Sequence, residues 1–185
     1  MVGGGLMFAS KTYYEDDTQD VTFSLFNTEQ IVLDDLLISS NSGNMPQNDF
    51  MAMNRKWSKL NCSANTRDYY TTHFKLSNFL AGIISSSGYD LTVNVSNTTV
   101  TTTRKSTFRA SSNTFRLNSQ TKTSTTMGDF TLNWHKAGNN HLALDKIIHN
   151  GNIHEKVDYT VINGFLRVTQ RIGHDSTVFY FTPSK

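Results

Sequence analysis

The sequence predicts a mainly β protein: an antiparallel β-sandwich or barrel-like domain with one or two short helices and an extended N-terminal arm. Two observations lead to this prediction. Asn-Gly pairs join alternating runs of β-branched and aromatic residues in the last quarter of the 185-residue chain. Hydrophobic residues make up 37% and charged residues 17% of the chain, and Ser, Thr and Asn fill much of the remainder. Such a composition favours turns and strands with one solvated face over long helices.

The clearest β-hairpin lies near the C-terminus. Residues 157–162 and residues 165–170 are alternating runs, and a single Asn-Gly pair separates them. Both central residues of a type I′ turn need a positive φ, which Asn and Gly adopt at the least steric cost. A second Asn-Gly pair stands one strand upstream. We therefore expect a compact β-meander over 141–185, packed on the same domain. Its expected structural turns are Asn150, Gly151, Asn163 and Gly164.

Two segments have the spacing of short helices. Residues 49–60 carry apolar side chains at helix-like intervals, with an Asn or Asp at their start as the cap. Residues 76–84 place apolar side chains at i, i+3, i+4, i+7 and i+8, with Ser77 as the N-cap. From Tyr89 onward the pattern predicts strands only, among them a clean alternation over 129–135.

The chain divides into three parts. Residues 1–20 form an arm that begins with a glycine triplet and then becomes acidic, and arms of this kind are often ordered by a neighbouring subunit. Residues 21–140 form the main β-rich domain. It begins with an alternating strand over 21–26 and continues with an ambiguous segment over 30–39, for which a strand is favoured over a helix.

Charge, cysteine content and hydropathy exclude several function classes. The formal net charge of +2 is too small to indicate a nucleic-acid-binding protein. The most basic stretch, 104–122, has five Lys or Arg with phenylalanines between them; it could stack a single strand, but a solvated strand pair is the commoner arrangement. One cysteine rules out an intrachain disulfide. Without a signal-peptide pattern or a spanning stretch, we expect a soluble protein made in a cytoplasm.

The candidate catalytic and metal sites are weak. Four histidines fall within twenty residues, but their irregular positions at turns and strand ends do not match a zinc site. Cys62 with His73 as its base would form a nucleophilic pair, yet the residues around Cys62 match no catalytic turn. We therefore expect no enzyme activity, no metal and no cofactor. The four histidines are His135, His141, His149 and His154.

The C-terminal segment resembles a known type of module. Its strands and turns read Ile-Ile-His-Asn-Gly over 147–151, Val-Asp-Tyr-Thr-Val over 157–161, Asn-Gly-Phe-Leu over 163–166, Gly-His-Asp over 173–175 and Val-Phe-Tyr-Phe over 178–181. Together, residues 146–181 resemble the small β-sandwich modules that recur in bacteriophage tail, fibre and baseplate proteins. The resemblance covers roughly a fifth of the chain. It departs from the pattern at Lys156, where the modules often have a glycine.

This resemblance implies a structural protein of a phage particle, such as a tail, fibre-adaptor, collar or decoration component. Such a protein would act through subunit interfaces, with itself as a homo-oligomer and with other virion proteins as partners. It would be made in the host cytoplasm and located in the virion.

Two other functions stay open. A carbohydrate-binding or lectin-like adhesin would bind a host-surface glycan, with Trp57, Trp134 or Tyr180 as the platform for sugar rings. A β-pore-forming toxin would insert the Ser/Thr-rich stretch 91–127 as a hairpin. A membrane hairpin alternates apolar and polar residues over about ten positions per strand. The alternation here ends at Val95, so we expect no membrane insertion.

Overall fold

Strands make up most of the described part of the chain. The computed structural model describes residues 50–107, 110–125, 128–149 and 152–185. Ten strands form one antiparallel sheet, and two short helices lie between the first two strands. The predicted fold class, a mainly β barrel-like domain with few helices, is confirmed.

The strands are β1 Arg55–Cys62, β2 Asp90–Val95, β3 Thr99–Lys105, β4 Ala110–Arg116, β5 Gln120–Thr125, β6 Gly128–Gly138, β7 His141–Ile148, β8 Ile153–Ile162, β9 Phe165–Ile172 and β10 Asp175–Pro183. The helices are α1 Thr66–Phe74 and α2 Asn78–Ser86. Across the ranges that the structure describes, neither helix has the length and apolar character needed to cross a membrane.

The sheet curls into a nearly closed barrel. Its hydrogen-bonded order is β4-β3-β2-β1-β10-β9-β8-β7-β6-β5, so β4 and β5 are its two edges although they are consecutive along the chain. The residues that follow β4 bridge the two sides. Leu117 N donates to Thr98 O at 2.8 Å, and Asn118 N donates to Trp134 O at 2.7 Å. This connection links the β2–β3 turn to β6 and brings the two edges of the sheet together.

Side chains alternate between the inside and the outside of the barrel. In β7, for example, every second residue is buried, beginning with Leu142 and ending with Ile148. Side chains two residues apart on a strand lie on the same face of the sheet. The buried residues therefore show which other positions of each strand face the interior. The largest fully buried side chains are Trp57, Tyr70, Phe50, Phe130, Phe179 and Phe181.

The two helices form a helix–turn–helix at the barrel end where β1 stops and β2 starts. Ser77 is the N-cap of α2, as predicted, and its Oγ accepts a hydrogen bond from Leu80 N at 3.3 Å. Helix α2 buries Ala81 and Ile84. The helix predicted from the apolar spacing over 76–84 is therefore confirmed, and its buried face packs against the barrel.

The helix predicted over 49–60 is wrong. Residues 50–53 form a turn, and β1 begins two residues later. The helix-like spacing came from Phe50, Met53 and Trp57, which are all buried. Two of them lie in the turn and the third lies on the strand. Trp57 is the one fully buried residue of β1, so no alternation marked this strand in the sequence.

Helix α1 has little sequence signal of its own. Its sequence, TRDYYTTHF, is rich in Thr and aromatic residues, which have modest helix propensity. Tertiary contacts compensate, since Tyr69, Tyr70 and Phe74 are buried. Thr66 Oγ1 also lies 2.7 Å from Thr177 Oγ1 on β10. Burial against the barrel, rather than local propensity, therefore stabilises this helix.

The β8–β9 hairpin has the backbone that a type I′ turn requires. Asn163 has a φ of 50° and Gly164 a φ of 78°, and Ile162 pairs with Phe165 across the turn. Both central residues are thus in the left-handed region that Asn and Gly tolerate best.

Other predictions fall outside the described residues. These are the turn at Asn150 and Gly151, the arm over 1–20 and the segments over 21–26 and 30–39. The meander predicted over 141–185 corresponds to β7 through β10, which belong to the same sheet as β1 through β6.

Candidate binding site inside the barrel

Three aromatic rings pack together inside the barrel. The ring centroid of Trp134 on β6 lies 5.7 Å from that of Phe115 on β4 and 5.3 Å from that of Tyr159 on β8. All three residues are at most 5% exposed. They form a continuous apolar surface where the two edges of the sheet come together.

A positive charge stands beside these rings. Val100 is buried on β3, and the strand period places Arg104 on the same inward face. Arg104 hydrogen-bonds the Tyr159 side chain, and its guanidinium carbon lies 5.2 Å from the centroid of the Tyr89 ring. Strands β3 and β8 are five places apart in the ten-stranded order. Arg104 and Tyr159 therefore reach each other across the interior from opposite walls.

The phenols around Arg104 are held in their neutral form. Burial raises the pKa of Tyr89 to about 12. Burial also raises the pKa of Tyr159, although the neighbouring Arg104 charge opposes this rise. A guanidinium only donates hydrogen bonds, so the Tyr159 oxygen accepts from Arg104 and keeps its own proton for a further acceptor.

A second cluster of polar side chains lies between helix α1 and the barrel wall. Lys146 Nζ and Glu155 Oε2 are 3.2 Å apart on the facing strands β7 and β8, and both side chains are less than a tenth exposed. The Tyr69 hydroxyl donates to Glu155 Oε1 at 3.1 Å. Burial and the neighbouring Glu155 charge raise the pKa of Tyr69. Lys146 Nζ also lies over the Phe130 ring, 5.2 Å from its centroid. This cluster anchors α1 to the barrel wall.

The inward lysine of β1 has a structural role. Lys59 Nζ donates to the carbonyl oxygens of Ile84, Ser85 and Ser87 at 2.8–3.0 Å, at the C-terminal end of α2. A cation at this end of a helix is favoured by the helix dipole. Burial nevertheless lowers the pKa of Lys59. The three hydrogen bonds of Lys59 therefore hold the C-terminal end of α2 against the barrel.

Strands β3, β4 and β5 each have an uncharged polar side chain at an inward position. Thr102 lies between inward Val100 and Arg104, and Asn113 lies two residues before buried Phe115. Thr121 pairs with buried Leu132. These three side chains are partly exposed although they face inward. One wall of the interior therefore carries hydroxyl and amide groups that solvent reaches.

The proposed sugar platforms occupy different places. Trp57 is fully buried, and its indole Nε1 donates to Met53 O at 3.0 Å. Trp134 belongs to the interior aromatic surface, whereas Tyr180 is 39% exposed on β10. The structure does not bring the three rings together as one platform.

The candidate catalytic and metal residues have separate partners. Cys62 Sγ donates to Ser85 O at 3.3 Å, whereas His73 Nε2 lies 2.9 Å from Asp175 Oδ2. His141 Nε2 lies 2.9 Å from Asp158 Oδ1. Among the residues that the structure describes, no group of three or more His, Cys, Asp or Glu is placed to hold a metal ion.

Sequence reasoning missed Arg104 as a candidate residue. It counted as one of five basic residues in a stretch expected to be solvated. The signal that could have identified it is the strand period, because residues 100, 102 and 104 share a face and residue 100 is an apolar valine.

No family model and no curated protein matches this chain. Solved structures, however, share its fold. A Schistosoma mansoni fatty acid binding protein in complex with arachidonic acid has a TM-score of 0.65 at 14% identity, with 75% of this chain and 100% of that chain covered. The lipid binding protein 8 of Caenorhabditis elegans has a TM-score of 0.61 at 13% identity, covering 72% and 96%. Fatty-acid-binding protein 1 of Echinococcus granulosus has a TM-score of 0.60 at 12% identity, covering 72% and 98%.

These matches correct the expected function. The prediction of a structural phage protein is wrong, because the solved structures that share this fold include fatty-acid-binding and lipid-binding proteins. The lectin-like and pore-forming alternatives are replaced for the same reason. The resemblance of residues 146–181 to phage modules stays a prediction, since these structures do not bear on it.

Proposed function

We propose that this protein binds a small amphipathic acid of the fatty-acid class inside its barrel and carries it there, shielded from water. The observation that supports this proposal most is the position of Arg104, an arginine in an aromatic interior, hydrogen-bonded to a neutral tyrosine. The fold is also that of a fatty acid binding protein in complex with arachidonic acid, a long-chain carboxylic acid.

The acidic head would bind Arg104. A guanidinium presents several N–H donors in a plane and matches a carboxylate in a bidentate manner. The Tyr159 hydroxyl can donate to the same carboxylate, since its oxygen accepts from Arg104 and its proton is retained. Low local dielectric strengthens such charged hydrogen bonds relative to water.

The hydrocarbon chain would lie on the apolar part of the interior. Trp134, Phe115 and the buried valines of β2 provide this surface. Burying a methylene group contributes about 0.8 kcal/mol, so most of the affinity would come from the chain and the selectivity from the head.

We further propose binding without catalysis. The cysteine and the histidine that could form a nucleophilic pair bond to different groups, Ser85 and Asp175. Self-association, expected from the N-terminal arm, stays a prediction that light scattering over a range of protein concentrations tests.

Calorimetric titration with oleic acid and with methyl oleate tests the proposed function. The wild-type protein should bind the acid more tightly than the ester. Arg104→Leu should weaken oleate binding about ten- to 150-fold, the equivalent of a charged hydrogen bond of about 1.5–3 kcal/mol. It should leave methyl oleate binding nearly unchanged.

Lys105→Leu is the matched control. Lys105 is the next residue of β3 and is exposed, so the same loss of charge should not alter oleate binding. Wild-type protein that binds no oleate, or an Arg104→Leu variant that binds oleate at full strength, would contradict the proposal.

A further inference from the structure

The indole N–H of Trp134 is a buried hydrogen-bond donor without an acceptor. The residue is 3% exposed, and in the part of the chain that the structure describes its Nε1 has no hydrogen-bond partner. The other tryptophan differs, because Trp57 Nε1 donates to Met53 O at 3.0 Å. Nearly all buried donors in native proteins find a partner, and leaving one unpaired costs about 1–3 kcal/mol. An acceptor for Trp134 is therefore expected from outside the residues that the structure describes.

This donor lies in the interior, close to the proposed head site. The Trp134 ring packs on the Tyr159 ring at 5.3 Å, and the Tyr159 side chain bonds Arg104. A single tyrosine side chain thus separates the indole from the guanidinium. An acid bound at Arg104 would bring its chain past Trp134.

The surrounding wall is also unsuited to a plain hydrocarbon. Phe115 stacks on Trp134, but the next inward residue along β4 is Asn113, and the inward residue that pairs with Leu132 is Thr121. Hydroxyl and amide groups lose hydrogen bonds to water when a hydrocarbon covers them. A chain that carries oxygen would restore those bonds.

We propose that the preferred ligand is an oxygenated long-chain acid. Its carboxylate binds Arg104, and a hydroxyl, carbonyl or epoxide oxygen on its chain accepts the hydrogen bond from Trp134 Nε1. This inference rests on the proposed function and names the class of acid that the barrel selects.

Oleic acid and ricinoleic acid test the inference, because they differ by one hydroxyl group on the same chain. Wild-type protein should bind ricinoleic acid about three- to tenfold more tightly, the range expected for one hydrogen bond. Trp134→Phe removes the donor but keeps an aromatic ring, and it should make the affinities for the two acids equal. Trp57→Phe is the matched control, since it removes an indole whose N–H already has an acceptor, and the preference should persist.

Nuclear magnetic resonance of the wild-type protein gives a second measurement that needs no stable variant. The chain has two tryptophans and therefore two indole N–H signals. Ricinoleic acid should move the Trp134 signal downfield relative to its position with oleic acid, and the Trp57 signal should be the same with both acids.

The outcomes separate this inference from the proposed function. If both acids bind equally and the Trp134 signal is the same with each, the oxygenated ligand is refuted and fatty-acid binding stands. If neither acid binds, the proposed function fails and this inference fails with it.

Discussion

The Tyr70 hydroxyl donates a 2.6 Å hydrogen bond to Gln170 Oε1, which joins helix α1 to strand β9 inside the barrel. Both residues are less than a tenth exposed. Burial also raises the pKa of Tyr70, so the phenol remains a donor. Tyr69 in turn donates to Glu155 on β8, so two successive residues of α1 are hydrogen-bonded to two different strands. The helix is therefore held by the barrel interior as well as by its own backbone.

Tyr70→Phe should destabilise the fold by about 1–3 kcal/mol. The substitution keeps the ring but leaves the buried Gln170 oxygen without its donor, and an unpaired buried acceptor carries that cost. Urea unfolding measures the change. Tyr180→Phe serves as the control, because this side chain is 39% exposed and water can replace its contacts. Equal stability of the two variants would show that the Tyr70–Gln170 bond contributes little.

Lys146→Met should destabilise the protein by about 3–5 kcal/mol, because it leaves the Glu155 carboxylate buried without its cation. Adding Glu155→Gln removes that charge and still offers Tyr69 an acceptor, so the double variant should recover much of the loss. Denaturant unfolding of the two single variants and the double variant gives the coupling. Lys56→Met should cost less than about 1 kcal/mol, since both side chains of the Lys56–Asp90 pair are in contact with solvent. Additive losses at positions 146 and 155 would rule out a buried ion pair.

Gly164→Val should cost about 1–3 kcal/mol. Gly164 has a φ of +78°, a region in which β-branched residues are strained, and a Cβ there would meet no atom within 4 Å. The cost is thus backbone strain without a clash. Gly88→Val is the matched control, because its Cβ also meets nothing within 4 Å and its φ is not in the left-handed region. Thermal melts should separate the two variants, and overlapping melts would contradict a type I′ turn at Asn163-Gly164.

Local patterns predicted the elements whose burial follows a simple period. The alternation over 129–135 and the Asn163-Gly164 pair both correspond to strands and a turn of the structure. The apolar spacing over 76–84 corresponds to α2, because that helix buries one face. Strand β1 was not predicted, because the inward side chain that follows Trp57 is Lys59. This lysine donates hydrogen bonds to carbonyl oxygens of α2. A charged residue inside the barrel hides the alternation that would reveal the strand.

The candidate site depends on contacts between distant parts of the chain. Arg104 and Tyr159 are separated by 55 positions in the sequence, and their contact exists because β3 and β8 face each other across the barrel. Only the strand period, counted from the apolar Val100, distinguishes Arg104 from the exposed Lys105 beside it. Likewise, Lys146 and Glu155 become a buried pair only through the β7–β8 register. Closure of the sheet, which sets these neighbours, is not encoded in any short motif.

Stability should fall steeply as the pH rises above 10. Tyr69, Tyr70, Tyr89 and Tyr159 all have a pKa raised by burial from the ordinary value of 10.0. The folded state therefore keeps these protons at pH values where the unfolded state releases them. The stabilisation is complete below pH 10 and is lost as the pH rises through the folded-state values, with a slope of up to about 1.4 kcal/mol per pH unit for each tyrosine.

Urea unfolding at a series of alkaline pH values, with phenolate absorbance recorded in parallel, checks this prediction. The phenolate signal of the four tyrosines should rise together with loss of the fold, since the buried phenols ionise on unfolding. Tyr89→Phe should flatten the decline between pH 10 and pH 12, because the pKa of Tyr89 in the folded state is about 12. If instead the phenols ionise near pH 10 while the sheet stays intact by circular dichroism, the four side chains are open to solvent, and the enclosed interior around Arg104 is refuted.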